Sequence, residues 1–254
     1  MYQEERLYHI MGLLKERKVL SRTEIMEQLN ISRDTARRDI LKLVDQGLVY
    51  RTHGGITLPA IRTRIGTYKE RLSINSELKM KLGKAAAKYI HEGDLCFLDV
   101  ATTIQSMCPF INMKSDIYTH SIDNVELLAD NPLPSVHILP GELNRINRYF
   151  FGSETITHLH DLNFDVAFLG AGALTEEGIF VRDSEDAYIK RAAVEKAAFT
   201  CLVSDAEKLL VRSTHRAVPL TKIDLLITTR PISAEFEKAL KKAGTDLEIV
   251  ESDN

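Results

Sequence analysis

Hydrophobic positions at the start of the chain recur at helical intervals. Leu7, Ile10, Met11 and Leu14 lie three and four residues apart, which predicts a first helix over roughly 3–17. Ser21 with Glu24 three residues on is a capping-box pattern, and it opens a short second helix whose apolar side holds Ile25, Met26 and Leu29. Asn30 suits a left-handed turn. Ser32 is an N-cap candidate for a third helix, Asp34 complements the dipole in its first turn, and Gly47 is a C-cap candidate. Ala36, Ile40, Leu43 and Val44 form the apolar stripe of that helix. The run LVYRTHGGITL then sets two short β-prone segments around His53-Gly54-Gly55, which reads as a hairpin.

Beyond this point the rhythm changes. Residues 58–78 have no strong apolar period and carry Arg62, Arg64, Lys69 and Arg71, which suits either a segment lying along phosphates or a solvated linker. From residue 79 helical and strand patterns alternate. A helix with Leu82, Ala85, Ala86, Tyr89 and Ile90 precedes the strand LCFLD, and a helix follows near 103–111. DIYTH at 116–120, VHIL at 136–139, DVAFLG at 165–170, FTCLVSD at 199–205, DLLIT at 224–228 and a last strand near 247–251 are further strand candidates. Helices are expected near 122–130, over AYIKRAAVEKAA and near 233–243. Such alternation implies a largely parallel sheet covered on both faces. The expected class is thus α/β with a small α+β head: residues 1–57 as the head, 58–78 as linker and 79–254 as the α/β domain.

Length and composition agree with that division. At 254 residues, with about 150 per domain as the prior, two domains are expected. A chain that is 44% hydrophobic and 27% charged is neither disordered nor a disulfide scaffold, and it has no apolar run long enough for a membrane helix. MYQEERLYHI lacks the apolar stretch of a secretory signal, so the expected location is the cytoplasm with reduced thiols. Cys96, Cys108 and Cys201 have no metal-ligand spacing, and His158-x-His160 does not bring both rings to one helix face, so neither a metal nor a cofactor is expected. The net charge of −3 conceals a basic head on an acidic body, the distribution of an anion-binding module joined to something else.

The order helix, helix, tight turn, helix, hairpin is that of a winged helix-turn-helix, whose third helix lies in the major groove of DNA. Away from its stripe this helix presents Arg33, Thr35, Arg37, Arg38 and Lys42, with Ser32 at its start; a solvated helical surface is the plain alternative. Arginine suits the task because its planar fork grips a phosphate or a guanine edge with two hydrogen bonds. Arg51, His53, Gly54 and Gly55 would complete the contact surface from the wing, the two glycines at positive φ in the hairpin. In the second domain, open α/β sheets bind ligands at the carboxyl ends of their strands. Those ends carry Asp99, Ala101, Thr102 and Thr103; then Thr119, His120 and Ser121; then Gly141; then Gly170; then Asp205 and Lys208. Turn-forming use explains any one of them; together they point to one pocket. Thr102, Thr103 and Lys208 would hold a phosphate, with Asp99 or Glu185 near sugar hydroxyls.

Both halves resemble the DeoR family of bacterial transcriptional repressors, over almost the whole chain. In the head the family's Thr-x-Arg-Arg-Asp helix and His-Gly-Gly wing fall on Thr35, Arg37, Arg38, Asp39, Gly47, His53, Gly54 and Gly55. In the body the matches are Asp99-x-x-Thr102-Thr103, Thr119-x-Ser121, Gly141, Gly152, FLGAGAL with Gly178, EDAYIKRA and Asp205-x-x-Lys208. Ala101, His120, Pro140 and Glu207 stand where the family usually has Gly, Asn, Gly and Ser. The resemblance implies a sensor domain similar in fold to ribose-5-phosphate isomerase that binds phosphorylated sugars. It further implies a repressor of a carbohydrate-utilisation operon that binds double-stranded operator DNA as a homo-oligomer, dimer or tetramer, without membrane association, and is released by a sugar phosphate. The rival is a sugar-phosphate isomerase with a nucleic-acid-binding head. The isomerases of this fold place acids after the fourth strand, whereas here Gly170-Ala171-Gly172-Ala173-Leu174 holds none before Glu176, so a non-enzyme is expected. A winged helix directed at RNA is the third reading.

Overall fold

The computed structural model describes residues 2–17, 19–46, 48–52, 55–58 and 68–251. Contacts divide the chain into two compact units, Met1–Arg64 and Ile65–Asn254.

The first unit runs α1 (Gln3–Arg17), β1 (Val19–Ser21), α2 (Arg22–Leu29), α3 (Arg33–Asp45), β2 (Tyr50–Thr52) and β3 (Gly55–Thr57). The helix starts follow from their caps. The Ser21 side chain accepts from the Glu24 amide while the Glu24 carboxylate accepts from the Ser21 amide, and Ser32 accepts from the Thr35 amide. Asn30 ends α2 at φ 48° and ψ 53°, the left-handed corner that starts the turn into α3. Ile10, Leu14, Leu20, Ile25, Leu43 and Ile56 are fully buried in the shared core, each stabilising the unit by about 1.5–3 kcal/mol. The hairpin gains a third strand: β1 pairs antiparallel with β3, giving the order β1-β3-β2. A three-residue strand is too short to announce itself by alternation. It also changes the role of Gly55. Its φ is not positive; instead a Cβ there would lie 2.1 Å from the Leu20 carbonyl oxygen, so glycine is required by the close approach of β1. Gly47, His53 and Gly54 lie outside the described residues.

The second unit opens with α4 (Tyr68–Ser73) and α5 (Ser76–Ala87), both starting within the stretch expected as linker. There follow β4 (Leu95–Leu98), α6 (Thr102–Gln105), β5 (Asp116–Thr119), α7 (Ile122–Leu128), β6 (Ser135–Ile138), β7 (Glu142–Asn144), β8 (Tyr149–Phe151), α8 (Ser153–His160) and β9 (Phe164–Leu169). The chain continues through β10 (Ala173–Thr175), β11 (Gly178–Val181), α9 (Ser184–Glu195), β12 (Ala197–Val203), β13 (His215–Pro219), β14 (Leu225–Thr228), α10 (Ala234–Ala243) and β15 (Asp246–Ile249). Seven strands form a parallel sheet in the order β15-β14-β12-β9-β4-β5-β6. Strand alternation sends Phe97, Ala167, Leu169, Leu202 and Leu226 into one core and Cys96, Leu98, Val166, Phe168, Cys201 and Ile227 into the other, so both faces are covered. Cys96, Cys108 and Cys201 are free thiols, all buried.

Three details depart from expectation. The helix expected near 103–111 stops at Gln105, and a separate 3-10 turn covers Cys108–Phe110, because Pro109 has no N–H to continue the ladder. A two-stranded sheet, β7-β8, and a three-stranded antiparallel sheet, β10-β11-β13, add to the parallel one. Among the described residues no helix is long and apolar enough to cross a membrane.

Candidate functional site

In the first unit, α3 presents Arg33, Arg37 and Arg38 to solvent, with Arg51 exposed on β2. Ser32 and Thr35 are tied to each other, hydroxyl to hydroxyl at 2.9 Å, at the start of α3. Lys42 is half-buried and donates to Gln3 at 3.1 Å, so part of its reach is spent within the unit. The opposite face is anchored by an unexpected charge. Asp39 is fully buried and accepts from Arg6 Nε at 2.6 Å and from Gln3 at 2.9 Å. This bond holds α3 against α1 and fixes which side of α3 the arginines occupy.

In the second unit the carboxyl ends of β4, β9 and β12 meet the start of α9 around a cleft. Thr102, Thr103, Ala101, Gly170 and Lys208 line it, as the sequence suggests. Gly170 is fixed by closeness, since a Cβ there would lie 2.1 Å from the Ala101 Cβ. The remaining expected residues are placed otherwise. Asp99 is fully buried behind the cleft, accepting from the Gly170 amide at 2.9 Å and bonded to Lys190. Thr119 donates to the Leu98 carbonyl at 2.7 Å, and Ser121 caps α7, so both are spent on the framework. Gly141 turns the chain at φ 145°, against Phe151 and Thr155, and does not line the cleft. Glu185 is exposed on α9 and bonded to Ser184; Asp186 beside it faces the cleft instead, because the start of α9 turns that position inward.

Several cleft residues escape a reading confined to strand ends. Arg71 arrives from α4, Lys79 from α5, Asn147 and Tyr149 from the β7–β8 hairpin, and Asp183, Asp186 and Lys190 from the approach to α9 and its first turns. The i, i+4 spacing of Asp186 and Lys190 was the available signal, since it sets both on one helix face. Lys190 is buried, and its ammonium is shared by Asp99 and by Asp186 at 3.2 Å. Burial opposes that charge, but the two carboxylates outweigh it and hold the lysine protonated. Burial pushes Asp186 up to about 6, with Lys190 pulling the other way. Burial and then the neighbouring charge of Lys208 bring Lys79 down to about 8. Burial also depresses Arg71, with Asp186 and Asp183 opposing it. Among its lining residues the cleft has Lys79 and Lys208 on one side, with Asp205 and Glu207 close to them, Asp183 and Asp186 on the other, and Arg71 near those two acids. Ligand atoms of Asp99, His120 and Asp186 lie within 4.8 Å of one another, but the two carboxylates already share a cation, Lys190.

Residues 6–62 match the DeoR-like helix-turn-helix domain and residues 74–230 the DeoR C terminal sensor domain. The HTH-type transcriptional repressor GlcR of Bacillus subtilis (strain 168) is 36% identical over 254 residues, spanning 100% of this chain and 98% of that protein. The lactose phosphotransferase system repressor of Lactococcus lactis subsp. lactis is 30% identical, spanning 92% of this chain and 94% of that protein. Among solved structures, ribose 5 phosphate isomerase A from Neisseria gonorrhoeae is 16% identical, with a TM-score of 0.40 over 56% of each chain. The chain belongs to the DeoR family, joining the DNA-binding helix-turn-helix of a transcriptional regulator to that family's sensor domain.

Proposed function

We propose that the protein represses a carbohydrate-utilisation operon from the cytoplasm and leaves its operator when a phosphorylated sugar fills the cleft. The observation that carries this reading is the pairing of Arg71, Lys79 and Lys208 with the hydroxyls of Thr102 and Thr103 around one opening. Charge-assisted hydrogen bonds from such groups suit a phosphate dianion. The depressed Lys79 points the same way, since an arriving anion relieves the repulsion it feels from Lys208. The names of the relatives, among them a lactose phosphotransferase system repressor, fit a carbohydrate operon. Arg33, Arg37, Arg38 and Arg51 would face the DNA, with a homo-oligomer reading paired half-sites. Release is linkage: a ligand that binds better to the form holding DNA badly lowers DNA affinity by the factor by which DNA lowers ligand affinity.

The test is a thermal-shift screen of the full chain against pentose and hexose phosphates, followed by titration of the best one into a complex with an operator selected from randomised duplex DNA. A rise in melting temperature together with release of the operator is expected. Operator binding that no sugar phosphate disturbs would refute the sensor reading. Operator selection that yields no preferred duplex would refute the repressor reading. Conversion of ribose 5-phosphate to ribulose 5-phosphate by the purified protein would restore the enzyme alternative.

A further inference from the structure

On the footing that the cleft takes a phosphorylated sugar, we infer that Tyr149 and Asp186 receive the hydroxyl-bearing end of that ligand and set which sugar is accepted. Tyr149 is 1% exposed, yet it lines the cleft, and its buried hydroxyl makes no hydrogen bond of full geometry among the described residues, with only the Asn144 side chain approaching it. A buried hydroxyl without a full hydrogen bond costs free energy, so its place in the fold calls for a partner that arrives from outside. Asp186 stands on the same side of the cleft and offers a carboxylate anchored through Lys190.

The polarity of the cleft decides what this side accepts. Asp183 and Asp186 repel a phosphate, which is drawn instead to Lys79 and Lys208, with Arg71 lying near the two acids. A sugar hydroxyl both donates and accepts, so it can donate to the Asp186 carboxylate and accept from the Tyr149 O–H. Behind them lies a buried aromatic stack. His120 is fully buried, stacked on Phe97 at 5.6 Å and edge-on to Tyr149 at 5.4 Å. Both His120 nitrogens and Asp99 Oδ1 are also without hydrogen-bond partners among the described residues. A stack of this kind fixes the direction of the Tyr149 hydroxyl, which is what discrimination between hydroxyl configurations needs.

The experiment compares wild type, Tyr149→Phe, Asp186→Asn and Lys208→Ala as full chains. Calorimetric titrations use inorganic phosphate, glycerol 3-phosphate, ribose 5-phosphate, glucose 6-phosphate and fructose 6-phosphate. Tyr149→Phe should weaken the best sugar phosphate by roughly 3- to 10-fold while leaving inorganic phosphate unchanged. Its melting temperature without ligand should equal or exceed that of wild type, because the variant removes a buried hydroxyl that has only a weak approach to Asn144 in the empty protein; a purely structural tyrosine would lower it. Asp186→Asn should narrow the spread of affinities across the sugar phosphates, and Lys208→Ala should weaken all five compounds alike. If phosphates bind but neither Tyr149→Phe nor Asp186→Asn separates sugar phosphates from inorganic phosphate, the inference fails and the proposed function stands. If none of the five compounds binds wild type, the reading of the cleft fails and the inference with it.

Discussion

Lys79 is held close to the edge of its charged state, and the sign of the consequence follows from its position. Burial and Lys208 bring it down to about 8, and a phosphate beside it would raise it again, so binding draws in a proton near that pH. Affinity should be nearly flat between pH 7 and 8 and fall above that, by up to about tenfold per pH unit until the complex itself loses the proton. A phosphate monoester titrates near pH 6, so its own ionisation does not interfere. Calorimetry between pH 7 and 9.5 checks this, with Lys79→Arg expected to abolish the fall. On the DNA-facing side, Ala at Arg37 or Arg38 should cost roughly 1–3 kcal/mol of operator affinity if the side chain reads a base. Contact with phosphate alone would instead weaken all duplexes equally and reduce the salt slope. Unchanged affinity in the double variant would remove this face of α3 from the interface. Residues of this exposed kind are legible in sequence because they need only a helix and its apolar stripe. Lys79 and Arg71 were illegible as cleft residues because their elements, α5 and α4, come to the cleft from outside the strand ends.

Among the elements, those with a long period were readable and those without one were not. α1, α3, α9, α10 and the seven parallel strands each repeat an apolar position often enough to show it. β1, β7, β8 and β10 have three residues each, and β13 meets β11 from far along the chain, so local pattern carried no trace of them. The Arg6–Asp39 bond is a case between the two. Asp39 sits at a helical position next to the apolar stripe, but only the packing of α1 on α3 explains why a carboxylate belongs there. Replacing it with Asn removes the carboxylate to which Arg6 and Gln3 donate and should lower the stability of the helix-turn-helix unit by about 1–3 kcal/mol. Operator affinity should fall with it, while sugar-phosphate affinity in the cleft stays at the wild-type value. Denaturation of the variant followed by two probes, one in each unit, checks this; equal loss in both units would contradict it.

At the scale of the whole molecule, two units with separate cores share one chain, and the fold class and unit order were legible because each core is built from its own rhythm, helical in the first and alternating in the second. What alternation did not convey is how completely the second unit encloses its three cysteine sulfurs. Burial pushes the Cys108 thiol up to about 12, and burial raises Cys96 and Cys201 as well, so none offers a thiolate at neutral pH. The folded protein consequently offers no cysteine to fast thiol oxidation or alkylation. The same enclosure turns the cysteines into clocks. Ellman's reagent should report no reactive thiol in the native protein and all three after denaturation. The slow native reaction that remains measures how often the sheet opens, and a saturating sugar phosphate should slow it in proportion to the occupancy of the cleft. Rapid labelling of any one of the three in the native chain would show that this enclosure is incomplete.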